Sequence, residues 1–415
     1  MIQFSDYNSV MEFGNHFKNR ASLKNNNCRK CIVKLVIIMG CFYLSACNNT
    51  NQQMDIPIFD LTKTYPEMEF VADEANKEYI SLETTDDVLA DRGFTIQQVS
   101  DKYIVGSNRS KGDIFIFDRN GKIKSFFNNK GQSGNEYLNL SSIVFDEKAQ
   151  EVFVADNVTC LVYAPDGRYL RKFNYPDSAR VSNLYDFDEH TLLAYCAYRA
   201  RSNDAPEDIN QTMPYIFLSK KDGSVISRLD LSFQKRVNSR IIIQTEQGIV
   251  PITISAGANK VKFGQEFIIA DRSSDTIYMF SQDKKLIPLF VRTPSVFNED
   301  HIIALTVEFK TDTYLFFSAL SYDKNKITAQ FLNNQQMTLD VLRTFAYNLH
   351  TGQLFSIPKI PSGVVAGAPK NTAVRTMEAF YLLEGLENDK LKGKLKQVAQ
   401  EIDADANPVV EIIKY

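Results

Sequence analysis

Apolar and polar residues alternate along most of this chain in short runs, and a polar turn ending in glycine joins the runs in pairs. The run Ile114 to Phe117 turns at Asp118-Arg119-Asn120-Gly121 into Ile123 to Phe127, and Cys160 to Tyr163 turns at Pro165-Asp166-Gly167 into Tyr169 to Phe173. The phrase recurs from Tyr215 to Leu229 around Gly223, and more loosely from Thr276 to Phe290 around Lys284 and from Thr344 to Ile357 around Gly352. Alternation with a period of two puts neighbouring side chains on opposite faces of a strand, and Asn-Gly or Asp-Gly accepts the positive φ of a tight two-residue hairpin turn. Five hairpins at intervals of roughly 45 to 70 residues amount to a repeat.

Each hairpin is preceded by another strand ending in a polar loop, as at Tyr103 to Val105, Glu151 to Ala155, Thr191 to Cys196, Glu266 to Ala270 and Tyr314 to Phe317. Further apolar stretches, Ile96 to Val99 and Ile143 to Phe145, lie before the first two. Four strands per unit is the makeup of a propeller blade. Five units fill about residues 94 to 357, which leaves the strand-like Lys77 to Leu82 and Pro408 to Tyr415 at the flanks. Pairing these two segments in one last blade closes the ring and removes exposed sheet edges. Leu391, Leu395, Val398 and Ile402, at three- and four-residue steps, predict one amphipathic helix on the body. The expected fold is all-β: a six-bladed β-propeller of four-stranded antiparallel blades over residues 76–415, with a short C-terminal amphipathic helix.

Composition agrees, since 44% apolar residues suffice for a large core and Val, Ile, Tyr, Phe and Thr fill the alternating runs. The first 47 residues read differently. Arg29, Lys30 and Lys34 precede the apolar Leu35 to Leu44, and Leu44-Ser45-Ala46-Cys47 resembles the bacterial lipobox, after which a signal is cleaved and Cys47 carries lipid. Residues 48–75 are expected to be a tether. Residues 1 to 46 carry a net +4, so removing them from a chain of net −3 leaves the rest near −7, a poor match for nucleic acid. No acidic cluster follows Cys47, which places the expected lipoprotein on the periplasmic side of the outer membrane, with the lipid as its membrane contact.

Chemistry is sparse. Cys160 and Cys196 sit inside apolar strands and read as small buried hydrophobes rather than a disulfide. His16, His190, His301 and His350 are scattered without zinc spacing, so no metal or cofactor is expected. Gly131-Gln132-Ser133-Gly134 lacks the Lys-Ser/Thr of a phosphate loop, and no nucleophile motif appears. The candidate ligand-binding residues lie on the polar loops: Asn108, Arg109, Asp156, Arg199, Asp271, Arg272 and Tyr322, with Gln132, Glu136 and Tyr137 between blades. Guanidinium groups ringing a channel mouth could hold a carboxylate or sulfate in bidentate fashion.

The lipobox, Tyr79-Ile80-Ser81-Leu82-Glu83-Thr84-Thr85-Asp86-Asp87, Phe117-Asp118-Arg119-Asn120-Gly121, Lys130-Gly131-Gln132-Ser133-Gly134-Asn135-Glu136-Tyr137 and the ending Asn407-Pro408-Val409-Val410 together resemble the six-bladed propeller lipoproteins of Bacteroidota, relatives of the NHL-repeat propellers. Ser133, Gly134 and Asn135 depart from that family's usual Gly-Gln-Gly-Pro-Gly-Glu-Tyr phrase. The resemblance implies the fold and no settled activity. The functional expectation is an exported, lipid-anchored binding module for a glycan, a peptide or an envelope protein. The alternative is a propeller enzyme such as a polysaccharide lyase or glycan hydrolase, marked by two acids or a Tyr-His-Arg group at the channel mouth.

Overall fold

The computed structural model describes residues 56–90, 93–196, 209–237, 240–253, 262–298, 301–338, 342–358, 360 and 368–415. Cys47, the signal segment and residues 48–55 lie outside them. The sheets arrange as six blades. Blade 1 runs β3 (Phe94–Val99), β4 (Tyr103–Asn108), β5 (Asp113–Asp118), β6 (Ile123–Phe127). Blade 2 runs β7 (Ser142–Asp146), β8 (Glu151–Asp156), β9 (Thr159–Tyr163), β10 (Tyr169–Asn174), and blade 3 runs β11 (Asn183–Asp186), β12 (Thr191–Tyr195), β13 (Tyr215–Ser219), β14 (Val225–Arg228). Blade 4 runs β17 (Lys262–Phe263), β18 (Glu266–Ile269), β19 (Thr276–Phe280), β20 (Ile287–Thr293), and blade 5 runs β21 (His301–Lys310), β22 (Tyr314–Asp323), β23 (Leu342–Asn348), β24 (Leu354–Ser356).

The sixth blade joins both ends of the propeller. Strand β26 (Val409–Lys414) lies between β25 (Thr372–Met377) and β2 (Lys77–Ser81), antiparallel to each, with Tyr79 opposite Glu411 and Ile80 opposite Val410. Among the described residues this blade has three hydrogen-bonded strands, one fewer than the sequence predicts. The innermost described strands of neighbouring blades touch one another, β25 against β3, β3 against β7 and β7 against β11, which sets them around the axis.

The core lies between blades. Val105, Ile114 and Phe127 meet Phe145, Val152 and Leu161 between blades 1 and 2. Phe115 and Phe117 meet Val374, Val410 and Ile412 where blade 6 seals onto blade 1. A middle strand thus buries both faces, which explains why Asp113-Ile114-Phe115-Ile116-Phe117 is buried throughout and reads as a continuous apolar run. Cys160 and Cys196 form no disulfide and are buried in one such interface, and burial pushes the Cys160 thiol up to about 12.

Four sequence readings are corrected in detail. The hairpin turns are longer than two residues, three at Gly121 and Gly167 and four at Gly223 and Gly352: Gly121 N–H donates to Asp118 O and Asp118 N–H to Lys122 O, and of that turn only Gly121 has positive φ. This is the turn followed by a left-handed glycine, which leaves a bulge in the ladder at Phe117. The same glycine presses on the preceding blade, because a Cβ on Gly121 would come within 2.1 Å of Ser81 O. Second, residues 56–72, assigned to the tether, line the ring: β1 (Ile58–Asp60) pairs parallel to β20, Leu61 is fully buried, and Met68 and Phe70 pack beside Phe309 and Phe316. Third, the C-terminal amphipathic segment is two short helices, because Asp389 turns the chain at φ +50° between Ala379–Glu387 and Gly393–Gln400. Leu391, Leu395, Val398 and Ile402 pack beside Tyr79 and Val409, the face the periodicity predicts. Fourth, Ser318 to Asp323 continue β22 rather than forming a loop, and helix α1 (Lys324–Leu332) follows.

That extension builds a cap. The hairpin β15 (Arg240–Thr245) and β16 (Gly248–Thr253), inserted after blade 3, belongs to no blade. Its Ile241 and Ile243 bury against Ile302, Ala304, Tyr322 and Ile327, so the long end of blade 5, α1 and the hairpin share one small core.

Candidate functional site

Antiparallel succession puts the loop after each second strand, and the loops between blades, on one face of the ring, while the turns after each first strand lie on the other. Every described candidate from the sequence falls on the first face, the one that bears the cap. Most are held by the scaffold. Asn108 Oδ1 accepts from Ser110 Oγ (2.8 Å) and Lys111 N (3.2 Å), closing its own turn. Asp156 accepts from Leu138 N (2.8 Å) and Asn139 N (3.2 Å), tying blade 2 to the loop before it. In that loop Gln132 is exposed, Glu136 accepts from Ser133 N (2.9 Å), and buried Tyr137 accepts from Asn129 N (3.1 Å) while donating to Gly112 O. The Ser133 N–H holds the Glu136 carboxyl below its ordinary range.

Asp271 forms the hub of a buried network. Its Oδ2 accepts from Tyr195 (3.1 Å) and Tyr215 (3.0 Å), with an Arg236 terminal nitrogen at 3.8 Å, and Oδ1 accepts from Ser273 N (2.8 Å). Burial, and then the Asp271 charge, raise both phenols above their usual value. Arg109 is exposed, donates to Gln97 Oε1 (3.3 Å) and faces Tyr185 of blade 3. Arg272 and Tyr322 line one pocket where blades 4 and 5 meet beneath the cap. Arg199 and Cys47 lie outside the described residues.

The ligand-sized space is elsewhere, on the axis. A cavity of about 460 Å³ opens toward the face of the first-strand turns. Ile143, Val144, Leu184, Tyr185 and Pro369 wall it, and Gln98, Ser100, Asp101, Gln265 and Lys370 bring polar groups to it. Asp146, Asp186 and Lys262 also line it, as the last or first residues of β7, β11 and β17. Lys220 neutralises the acids, with Nζ 2.6 Å from Asp146 and 2.7 Å from Asp186, while Lys262 Nζ donates to Asp186 O. Burial pushes the Asp146 carboxyl up, but Lys220 and the N–H groups of Ala149 and Lys148 hold it below its ordinary value. Lys262 is the converse case: burial first, and then repulsion from Lys220, lower its amine, against an upward pull from Asp186.

Two acids do meet at this mouth. A glycan hydrolase, however, needs one carboxyl whose proton affinity is raised so that it can donate. Asp146 is driven the opposite way, and Lys220 bridges both groups. Among the described residues no group of three or more His, Cys, Asp or Glu could hold a metal ion. Sequence reasoning missed Lys220, Lys262, Asp146 and Asp186 because each stands as an isolated charge near a strand end, up to 76 residues from its partner in space. It also missed Arg292, whose setting is tertiary.

No curated protein matches the chain. The fold is similar to that of a protein of Bacteroides fragilis NCTC 9343 whose description assigns it to the exported class, at 15% identity and TM-score 0.58 over 86% of this chain and 100% of that one. It is similar, more remotely, to a member of the DUF4221 family from Bacteroides vulgatus, at 11% identity and TM-score 0.44 over 69% of this chain and 84% of that one. The family model described as "Domain of unknown function (DUF4934)" matches residues 74–414, from just ahead of β2 to the end of β26, and the chain belongs to that family.

Proposed function

We propose that this protein is an exported, lipid-anchored binding module that takes the end of a glycan or a peptide into its axial cavity. The observation that carries the reading is the cavity itself. Its volume of about 460 Å³ falls within the range of small-ligand sites, and its lining divides about evenly between apolar and polar surface. Tyr185 offers a ring for a sugar or peptide face, and Gln98, Ser100 and Gln265 offer neutral hydrogen-bonding partners. Export is supported by the basic and apolar segment ending at Cys47 and by the description of the B. fragilis relative. The periplasmic side of the outer membrane rests on the lack of an acidic cluster just after Cys47.

The test is binding of the purified protein to glycan and peptide arrays, with Leu184→Trp as the blocked form. A hit that Leu184→Trp weakens tenfold or more supports the reading. Silence on both arrays, or hits indifferent to the filled cavity, overturns it.

Lys262 favours a second reading. An amine lowered by burial and facing a ligand-sized cavity suits a general base, as in proton abstraction beside a uronate carboxylate by a lyase. Formation of unsaturated uronate from acidic polysaccharides, abolished in Lys262→Met, would establish it; no ultraviolet product across a panel of such polymers would exclude it.

A further inference from the structure

We propose that the pocket beneath the cap, where blades 4 and 5 meet, is a carboxylate-binding site built on Arg292. It lies on the face opposite the mouth of the axial cavity, and it stands or falls separately from that site.

Arg292 is the next-to-last residue of β20, the fourth strand of blade 4, and lines this pocket at 3% exposure. A guanidinium that deep is ordinarily paired. Here Nε is buried without a hydrogen-bond partner, and one terminal nitrogen reaches only the Pro294 carbonyl at 3.4 Å. The acid nearest in charge terms, Asp275, is committed elsewhere: its Oδ1 accepts from Val296 N at 2.6 Å, and its carbonyl accepts from Arg292 N at 2.8 Å. Burial accordingly lowers the Arg292 pKa to about 10. A full positive charge is therefore sequestered in a pocket with no counter-charge bonded to it.

The neighbours suit an anion. Arg272 and Tyr322 line the same space, and among the described residues the Tyr322 hydroxyl makes no hydrogen bond. Asp271, also at the wall, is neutralised by Arg236 and saturated by two tyrosines. Apart from Ser274 the remaining wall is apolar, with Val237, Ile277 and Ile303, and strengthens any charge interaction made inside it.

Size selects the group. The enclosed space is about 20 Å³, room for a water or one small planar group and too little for a sugar ring. A carboxylate presents two oxygens in the plane of a guanidinium fork, so Nε and a terminal nitrogen of Arg292 can both donate to it. The chemistry points to the carboxylate of a ligand whose bulk stays outside, over the cap face.

The experiment follows thermal unfolding of the full-length protein with sodium acetate and with sodium chloride at matched ionic strength. The expected result is a saturable rise in midpoint with acetate alone, weakened at least tenfold in apparent affinity by Arg292→Gln. Arg292→Lys, which keeps the charge and loses the fork, weakens it as well. Should Arg292→Gln disturb folding, Tyr322→Phe removes a single hydroxyl and is expected to weaken acetate severalfold in a native protein. Equal shifts from chloride and acetate, or an acetate effect unchanged in both Arg292→Gln and Tyr322→Phe, would overturn the assignment.

Discussion

Replacing Arg292 with methionine should make the protein more stable, an unusual outcome for removal of a buried charged side chain. Lowering of the guanidinium from 12.5 to about 10 measures how much the fold disfavours its charge. At about 1.36 kcal/mol per pKa unit this is on the order of 3 kcal/mol. Against it stands one long hydrogen bond to Pro294, about 1 kcal/mol, the attraction to Asp275 being already contained in the lowered value. Methionine fills a similar volume without a polar head, so the net expectation is a gain of about 2 kcal/mol. For a domain of this size that is a rise of roughly 3 °C in unfolding midpoint. Because the folded-state pKa is the lower one, the penalty is complete below about pH 10 and fades above it, as the native arginine sheds its proton while the unfolded chain stays charged. The gain should therefore be constant from about pH 6 to 9 and smaller at pH 11. Calorimetry of both proteins across that range is the assay. A midpoint lower in Arg292→Met than in the wild type at pH 7 would refute the reasoning and make the arginine a structural strut.

Deleting Val409 to Tyr415 removes the strand that both ends of the propeller share, including four apolar residues at 6% exposure or less. At about 1.5 to 3 kcal/mol each, their loss rivals the whole stability of a typical domain, so the truncated protein should show no cooperative unfolding transition by circular dichroism. Lys220→Met strands two carboxylates and should cost about 3 to 5 kcal/mol at pH 7 in urea unfolding. Because Asp146 is lowered on folding, that difference holds above its ordinary value of 3.8 and shrinks as the pH falls through the lower native one. Gly167→Ala places a Cβ 2.6 Å from Phe127 at φ +83°, and should lower the urea midpoint by more than 1 kcal/mol equivalent, whereas Gly248→Ala, with open space around it, costs only its backbone strain.

How much of this was legible in the sequence follows from how local each signal is. The hairpins were readable because alternation and a turn glycine are properties of neighbouring residues, and Gly121, Gly167, Gly223 and Gly352 all adopt positive φ. At the fourth repeat Lys284 takes that conformation without the glycine, at φ +60°, which is why the phrase looked looser there. The seal between Lys77–Ser81 and Val409–Lys414 was inferred from leftover strands and from the need to hide edges, and the register bears it out. The cap was not legible. The strand, turn and strand around Gly248 look locally like any blade hairpin, and only its packing on Ile302 and Ile327 separates it. At the sites, Arg272 and Tyr322 were found because they follow or end second strands on polar loops. Arg292 reads as one charge in an apolar run, and Lys220, Lys262 and Asp186 converge only after the ring is built.

The central claim is that the axial cavity is where a ligand sits. It is tested most directly by methyl NMR of the protein titrated with its tightest array hit. The account predicts saturable shifts at Ile143, Val144 and Leu184, on the cavity wall, with Ile226 on the outer surface of blade 3 unmoved. Saturable shifts confined to Ile226 and other outward positions, with Ile143 and Leu184 silent, would contradict it.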